Sequence, residues 1–266
     1  MTDLPPIDYS ALDRPEISLR IFYPRAEWRS FANTSANDIS IPVGDRITIG
    51  ARFHIANKEA PNILFFHGNG EIVADYDDVG PFFNRMGINF LPVDYRGYGR
   101  SGGEPTVSSM MRDCHSICDF TKKWLSDNGC TGPFIVMGRS LGSASALELA
   151  SAYEDKIDGL IIESGFAFAE PLLSLLGVDL RSLNFTESKG FRNIDKMKQF
   201  RKPVLIIHAE FDHIIPYSDA LQLFGTSPSP DKTLLKIPGA NHNDIFSLGL
   251  KEYMSAIKSF LGRLKD

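Results

Sequence analysis

Short apolar runs alternate with longer amphipathic segments along most of the chain. A short, fully apolar run is typical of a strand that is buried on both faces, and such strands occur in parallel sheets covered by helices. The pattern therefore predicts an α/β fold with a mostly parallel central sheet and helices on both faces. The six runs lie at 62–66, 88–93, 134–137, 159–162, 204–207 and 233–237.

Helices are predicted between these runs by apolar residues that recur three and four positions apart. In the last segment, Leu250, Tyr253, Ile257 and Leu261 fall on one face of a helix. Such a face can cover a sheet while its opposite side meets water. The predicted helical segments are 72–86, 107–128, 141–154, 216–226 and 244–264.

The two ends of this alternating region show other patterns. Residues 1–36 are rich in proline and aromatic side chains without clear periodicity, and they predict an arm that packs on the core. Residues 39–55 predict an antiparallel hairpin around a Gly-Asp turn at 44–45. The interval at about 168–200 is longer than a crossover needs and predicts a small cap. We therefore expect one domain over 37–266 with this cap inserted.

Composition limits the functions that this chain can have. Its 266 residues are 43% hydrophobic, which is enough for a large core. The net charge is -5 and the basic residues are spread out, which argues against a nucleic-acid partner. The N-terminus has no cationic start, and no apolar run reaches the roughly 20 residues that span a bilayer. These features predict a cytoplasmic protein without integral membrane association.

Cysteine usage suggests neither a disulfide framework nor a metal site. The chain has three cysteines, too few for a network of bridges in a protein of this size. Cys114 and Cys118 share a face of a predicted helix, whereas His115 points elsewhere, so a metal there would lack ligands. Buried free thiols are the expectation.

One stretch carries candidate chemistry. Gly138-Arg139-Ser140-Leu141-Gly142 follows the apolar run at 134–137 and opens a segment of small residues, as in a strand, a sharp turn and a helix. A serine at such a turn stands at a helix N-terminus, whose free N–H groups can stabilise an oxyanion. Glycines two positions before and after the serine keep the bend free of clashes. The stretch predicts a nucleophile at Ser140.

Other polar loops follow the predicted strands at the same edge of the sheet. Reactive groups in an open parallel sheet collect beyond the C-terminal ends of its strands. Residues 67–70 read His-Gly-Asn-Gly, residues 208–216 include Asp212, and residues 239–244 include His242. Together with Ser140, these loops bring a serine, an acid and a histidine to one rim.

In order and type, these motifs resemble the α/β-hydrolase superfamily, and more narrowly its serine aminopeptidase-like and depalmitoylase-like branch. Members of that branch mostly cleave esters or thioesters. The resemblance covers roughly residues 37–266 and implies an α/β-hydrolase fold with a serine esterase or thioesterase activity. The motifs that carry it are His67-Gly68-Asn69-Gly70, Asp94-Tyr95-Arg96-Gly97-Tyr98-Gly99-Arg100-Ser101, Gly138-Arg139-Ser140-Leu141-Gly142, the Asp212 segment ending in Pro216, and Gly239-Ala240-Asn241-His242.

The resemblance also implies roles for single residues. Ser140 would attack the acyl carbonyl, His242 would accept and return its proton, and Asp212 would orient His242. The backbone N–H groups of Leu141 and Asn69 would form the oxyanion hole. The substrate would be a small-molecule acyl ester or thioester, and no metal or organic cofactor is needed because water completes the reaction.

Alternatives stay open for the acid and for Arg139. Glu163 follows the run at 159–162, where some members of the superfamily place their acid, whereas Asp212 precedes the Ile-Ile-Pro expected after it. Arg139 could meet an anionic leaving group or pack its stem on the neighbouring helix.

Two other functions compete with an esterase. An aminopeptidase of the same fold needs an acidic residue in the cap to hold the substrate ammonium, and Asp179, Glu187 and Asp195 are candidates. A ligand-binding protein with a hydrolase fold is the other alternative, since fold alone does not fix function. Degenerate motifs would favour that reading, and none of the motifs above is degenerate.

Overall fold

The computed structural model describes residues 4–28, 36–44 and 46–264, and eight strands within these ranges form one sheet. Residues 29–35 of the predicted arm and residue 45 of the predicted turn lie outside the described residues. Each apolar run of the sequence corresponds to a strand, and the hairpin supplies two more. The strands are β1 (Asn37–Gly44), β2 (Ile47–Phe53), β3 (Asn62–Phe66), β4 (Asn89–Val93), β5 (Phe134–Arg139), β6 (Gly159–Glu163), β7 (Val204–Ala209) and β8 (Lys232–Ile237).

The sheet is mostly parallel, with an antiparallel edge. Its strand order is β1-β2-β4-β3-β5-β6-β7-β8. β1 pairs antiparallel with β2 and β2 pairs antiparallel with β4, whereas the remaining neighbours run parallel. The predicted parallel sheet with an N-terminal antiparallel hairpin is confirmed. The carboxyl ends of β3, β5, β7 and β8 therefore open on the same edge, which is where the polar loops follow.

Eight α-helices lie within the described residues. Short 3-10 turns also occur at Val73–Tyr76, Glu154–Lys156 and Glu187–Lys189. None of the helices in the described ranges is long and apolar enough to cross a bilayer. The helices are α1 (Pro15–Ile21), α2 (Gly80–Arg85), α3 (Val107–Asp127), α4 (Gly142–Ala152), α5 (Ala169–Leu175), α6 (Asn193–Met197), α7 (Tyr217–Thr226) and α8 (Ile245–Arg263).

The sheet separates two hydrophobic layers because successive side chains of a strand point to opposite faces. In β3, Leu64 belongs to the layer that contains α3 and α4, whereas Phe65 belongs to the layer that contains α2 and α8. Ile257 of α8 is fully buried in that second layer, as the spacing of its helix predicts. Helices thus cover both faces, and the strand ends are held in fixed positions.

The prediction of one helical segment over 72–86 was wrong. The chain forms a 3-10 turn at Val73–Tyr76 and then the short helix α2, which has Pro81 in its first turn. Proline lacks an N–H and favours the start of a helix over its interior, so the segment divides there. Gly80 lies against the His54 ring, where a Cβ atom would come within 2.4 Å.

The N-terminal residues are more regular than their composition indicates. α1 forms within them, with Ile17 and Ile21 buried, and it contacts α5. α5 and α6 both lie between β6 and β7, in the interval that predicts a cap. The cap boundaries at about 168–200 and the division at residue 37 stay predictions.

Candidate active site

Ser140 occupies the sharp turn between β5 and α4. Its backbone has φ 51°, a left-handed conformation that is strained for a residue with a side chain. A Cβ atom at Gly138 would lie 2.3 Å from the Gly142 carbonyl oxygen, and one at Gly142 would lie 2.1 Å from the Phe66 carbonyl oxygen. Glycine is therefore required at both positions, because the turn packs backbone against backbone.

Hydrogen bonds hold this turn in place. The Ser140 N–H donates to the Glu163 carbonyl at 2.8 Å, which ties the turn to the end of β6. The Ser143 hydroxyl and N–H both donate to the Ser140 carbonyl, at 2.6 and 3.0 Å. Ser143 thus braces the turn, a role that the sequence pattern did not indicate. Such support is what a strained functional residue needs to persist.

His242 lies between Ser140 and Asp212. It follows β8 and is 3% exposed. Its Nε2 atom is 3.0 Å from Ser140 Oγ, and its Nδ1 atom is 2.7 Å from Asp212 Oδ2. With the proton on Nδ1 donated to the carboxylate, Nε2 is left free to accept the serine proton. The three side chains therefore form one continuous hydrogen-bonded relay across loops that are far apart in sequence.

Asp212 is fixed by its own backbone surroundings. Its Oδ1 atom accepts hydrogen bonds from the N–H groups of Ile214 and Ile215, at 2.9 and 2.8 Å, which leaves Oδ2 for His242. Burial opposes the charged form, but the hydrogen bond from His242 and those from Ile215 and Ile214 hold the pKa of Asp212 below its ordinary value. The carboxylate beside His242 is therefore ionised at neutral pH.

Glu163 is directed to other partners. It ends β6, pairs in register with Arg139 of β5, and its Oε1 atom is 3.1 Å from Arg139 Nε. Its Oε2 atom accepts a hydrogen bond from the Tyr253 hydroxyl at 2.6 Å. Burial raises the pKa of Glu163, although the Arg139 charge and the Tyr253 hydroxyl oppose the shift. Both carboxyl oxygens are engaged away from His242.

Three of the other histidines that could compete as the base have structural partners. His208 Nε2 lies 2.8 Å from the Ile215 carbonyl, and burial lowers the pKa of this ring. His67 lies 3.2 Å from Asp94 Oδ1 beneath the loop after β3. His115 Nδ1 lies 2.9 Å from the Tyr153 hydroxyl. Among the described histidines, only His242 has a hydrogen bond with Ser140.

The two predicted oxyanion donors border the same cavity as Ser140. Asn69 and Leu141 both line that cavity, and within the described chain neither of their N–H groups donates a hydrogen bond. The Asn69 side chain is turned away, because its Oδ1 atom accepts from the Tyr23 N–H at 2.8 Å and the Tyr98 hydroxyl at 2.7 Å. The loop after β3 is thus anchored by its side chain while its backbone N–H stays available.

The cavity beside Ser140 measures about 230 Å³. One side is polar and includes Arg139, His242 and Asn243. An apolar part of the lining, called the roof here, comes from α1, from α5 and the residue after it, and from the loop before α6. The six roof residues are Ile21, Ala169, Leu172, Leu173, Leu176 and Phe191.

Comparisons with known proteins bear on the family and the fold of this chain. A family model described as serine aminopeptidase, S33 matches residues 57–181, which include the Ser140 turn but end before Asp212 and His242. Human alpha/beta hydrolase domain-containing protein 17B is 31% identical over 210 residues, covering 76% of this chain and 66% of that protein. The chain belongs to the α/β-hydrolase superfamily.

A second relative and a solved structure are also similar to this α/β-hydrolase. Protein bem46 of Schizosaccharomyces pombe is 27% identical over 246 residues, covering 86% of this chain and 77% of the yeast protein. A solved structure of the Pyrococcus furiosus esterase Pf2001 superimposes with a TM-score of 0.73 at 18% identity, covering 91% of this chain and 98% of the esterase. At that identity the superposition shows a shared fold. The chain spans about two thirds of the length of its human relative.

Several residues at the site of this α/β-hydrolase were missed by sequence reasoning. Glu71 and Asn243 line the cavity beside Arg139, and Ile21 reaches it from the N-terminal helix. Glu71 and Asn243 directly follow the motif residues Gly70 and His242, and this proximity was the one sequence signal that could have indicated them. No sequence signal indicated Ile21. In the described part of the chain, no group of three or more His, Cys, Asp or Glu side chains is placed to hold a metal ion. Cys114 and Cys118 are buried free thiols.

Proposed function

We propose that this protein is a serine hydrolase that cleaves carboxylic esters or thioesters through an acyl-enzyme on Ser140. The observation that supports this proposal most directly is the relay from Ser140 Oγ to His242 Nε2 at 3.0 Å and from His242 Nδ1 to Asp212 Oδ2 at 2.7 Å. A serine hydroxyl is a weak nucleophile until a base within hydrogen-bond reach removes its proton. His242 is placed to do so, and Asp212 stabilises the imidazolium that results.

In the first half-reaction, Ser140 Oγ forms a bond to the acyl carbon while its proton passes to His242 Nε2. The carbonyl π electrons move onto oxygen, and this oxyanion is stabilised by the N–H groups of Asn69 and Leu141. When the intermediate collapses, the bond to the alcohol or thiol breaks. The leaving group takes the proton from His242, and the acyl group remains esterified to Ser140.

In the second half-reaction, water replaces the leaving group. His242 Nε2 accepts a proton from water as its oxygen attacks the acyl carbon, and the oxyanion again forms between Asn69 and Leu141. Collapse breaks the bond to Ser140 Oγ, which recovers its proton from His242. The products are a carboxylic acid and the free enzyme, so the cycle consumes one water and needs no cofactor.

The cavity supports an acyl group that is uncharged and apolar. The roof offers aliphatic and aromatic carbon to the substrate, and burial of a methylene group there contributes about 0.8 kcal/mol to binding. The polar side already has its charges paired, because Arg139 Nη1 is 2.7 Å from Glu71 Oε1. A cavity of about 230 Å³ is small among ligand sites, which indicates a small or medium acyl chain.

An aminopeptidase reading is less well supported by the geometry. It needs a carboxylate that faces the cavity and is free to hold the substrate ammonium. None of the three acidic candidates from the cap region lines the cavity: Glu187 accepts from the N–H groups of Ala169 and Glu170, and Asp195 pairs with Arg192. Asp179 accepts from the N–H groups of Arg181 and Ser182. Glu71 does line the cavity, but Arg139 neutralises it.

The deciding experiment is a panel of acyl esters and acyl thioesters graded by chain length, run beside aminoacyl amides. We expect turnover of esters or thioesters by the parent and none by the Ser140→Ala variant. Faster hydrolysis of aminoacyl amides would favour the aminopeptidase. Saturable binding of these compounds without turnover of any would identify a ligand-binding protein instead.

A further inference from the structure

The Arg139 side chain contacts three separate segments of the chain at the site. It is the last residue of β5, directly before Ser140, and its side chain is 12% exposed. A guanidinium carries five N–H donors in a planar fork. Here those donors reach two carboxylates, one backbone carbonyl and one side-chain amide, on three separate segments of the chain.

One branch of the fork reaches the loop that carries Asn69. Arg139 Nη1 is 2.7 Å from Glu71 Oε1, and Glu71 Oε2 accepts the Gly68 N–H at 2.7 Å. The Tyr76 hydroxyl also donates to Glu71. A Cβ atom at position 68 would lie 2.8 Å from Arg139 Nη1, so the glycine there makes room for the guanidinium. Arg139 thereby fixes the backbone next to one proposed oxyanion donor.

The other branches reach the loop of the base and the end of β6. Arg139 Nη2 donates to the His242 carbonyl at 3.0 Å and contacts Asn243 Oδ1 at 3.4 Å. Nε faces Glu163, whose second oxygen is held by Tyr253 of α8. The backbone of His242 is therefore held from one side by Arg139, while its ring is held from the other side by Asp212.

We infer that Arg139 is a positioning residue that keeps Ser140, His242 and the loop carrying Asn69 in fixed relative positions. This inference rests on the proposed function. Each of the three guanidinium nitrogens of Arg139 already contacts a protein acceptor, which argues against a receptor for an anionic leaving group. Two carboxyl groups flank the Arg139 guanidinium, so its positive charge is already compensated inside the protein.

The test compares Arg139→Lys with the parent. Lysine keeps the positive charge between the two carboxylates, but it is a point charge and cannot replace a planar fork that spans three segments. We expect kcat to fall about 10- to 100-fold with little change in KM, because small misplacements of reacting groups cost this much. The rate of fluorophosphonate labelling should fall with it. Arg201→Lys, at an exposed arginine far from the cavity, is the matched control.

A second variant separates positioning from buried charge. The triple variant Glu71→Gln, Arg139→Met, Glu163→Gln removes the cation together with both carboxylates, so no buried charge is left unpaired. We expect the same loss of kcat, with thermal unfolding showing a folded protein. Parental kcat in either variant would overturn the inference. A KM increase confined to substrates with anionic leaving groups would also overturn it and identify an anion receptor.

An independent readout keeps this test separate from the proposed function. The proton on His242 Nδ1 gives an NMR resonance that can be assigned by its loss in His242→Gln. We expect Arg139→Lys to shift or broaden it, because the His242 backbone loses its anchor; an unchanged resonance would contradict the inference. If the parent neither hydrolyses the panel nor reacts with the probe, the proposed function fails, and this resonance still decides the role of Arg139.

Discussion

The relay of Ser140, His242 and Asp212, called the polar rim here, and the apolar roof lie at the same cavity, but different forces hold them in place. Rim residues such as Ser140, Asp212 and His242 are each fixed by at least two hydrogen bonds within the described structure. Roof residues such as Leu172 and Ile21 are placed by packing between α1 and α5. Directional bonds specify positions closely, whereas packing tolerates changes of similar volume. The rim should therefore determine whether reaction occurs, and the roof should determine which acyl group reacts.

The largest expected effect is at the nucleophile. Ser140→Ala should lower ester turnover by about 10⁴- to 10⁶-fold, because removal of a triad member leaves only the contribution of the oxyanion hole and binding. Steady-state kinetics on the best ester of the panel would measure it. Ser143→Ala removes only a brace of the turn and should cost less than about 10-fold. Equal losses in the two variants would contradict this assignment.

Substitution of the acid, Asp212, is expected to have the next largest effect. Asp212→Asn should lower kcat by about 10³- to 10⁴-fold, because an amide favours the wrong tautomer of His242. Glu163→Gln, a matched change at the alternative acid, should cost no more than about 10-fold, since Glu163 contacts Arg139 and Tyr253. If Glu163→Gln proved the more damaging variant, the roles of these two residues would be reversed.

The roof should respond in specificity rather than in chemistry. Leu172→Trp fills part of the cavity, and we expect kcat/KM for the longest accepted acyl chain to fall about 10- to 200-fold relative to an acetyl ester. Leu221→Trp, at an exposed position of α7, is the control and should leave the profile unchanged. A uniform loss across all chain lengths would show that the roof supports the rim instead.

The smallest expected effect is on stability in acid. The pKa of Asp212 is lowered on folding, so the unfolded chain binds more protons at low pH. The ionised Asp212 carboxylate therefore stabilises the folded protein above the ordinary carboxyl pKa of 3.8. This stabilisation is lost as the pH falls below that value. Urea unfolding between about pH 5 and pH 3 should therefore show a shallower loss of stability in Asp212→Asn than in the parent. Parallel curves would contradict this contribution of Asp212.

Much of the fold follows from the sequence because its physical signals are local. Buried parallel strands need continuous apolar runs, and each run became a strand. The division of 72–86 at Pro81 could also be read locally, from the missing N–H of proline. α1 could not, because a short helix is stabilised mainly by tertiary packing.

The site was predictable to a lesser extent. Ser140, Asp212 and His242 stand in loops whose strand order implies one rim, so their proximity follows from topology. The contacts of Arg139 with Glu71 and with the His242 carbonyl depend on side-chain directions in three loops. Nothing in the spacing along the chain encodes those directions.

The most direct test of the Ser140, His242 and Asp212 relay is the location of a covalent adduct. The parent would be treated with a fluorophosphonate, digested and examined by peptide mass spectrometry, with His242→Gln treated in parallel. We predict one phosphonyl group on Ser140 in the parent and a labelling rate reduced by about 10³-fold or more in His242→Gln. An adduct on another residue, or equal labelling rates in the two proteins, would contradict the relay.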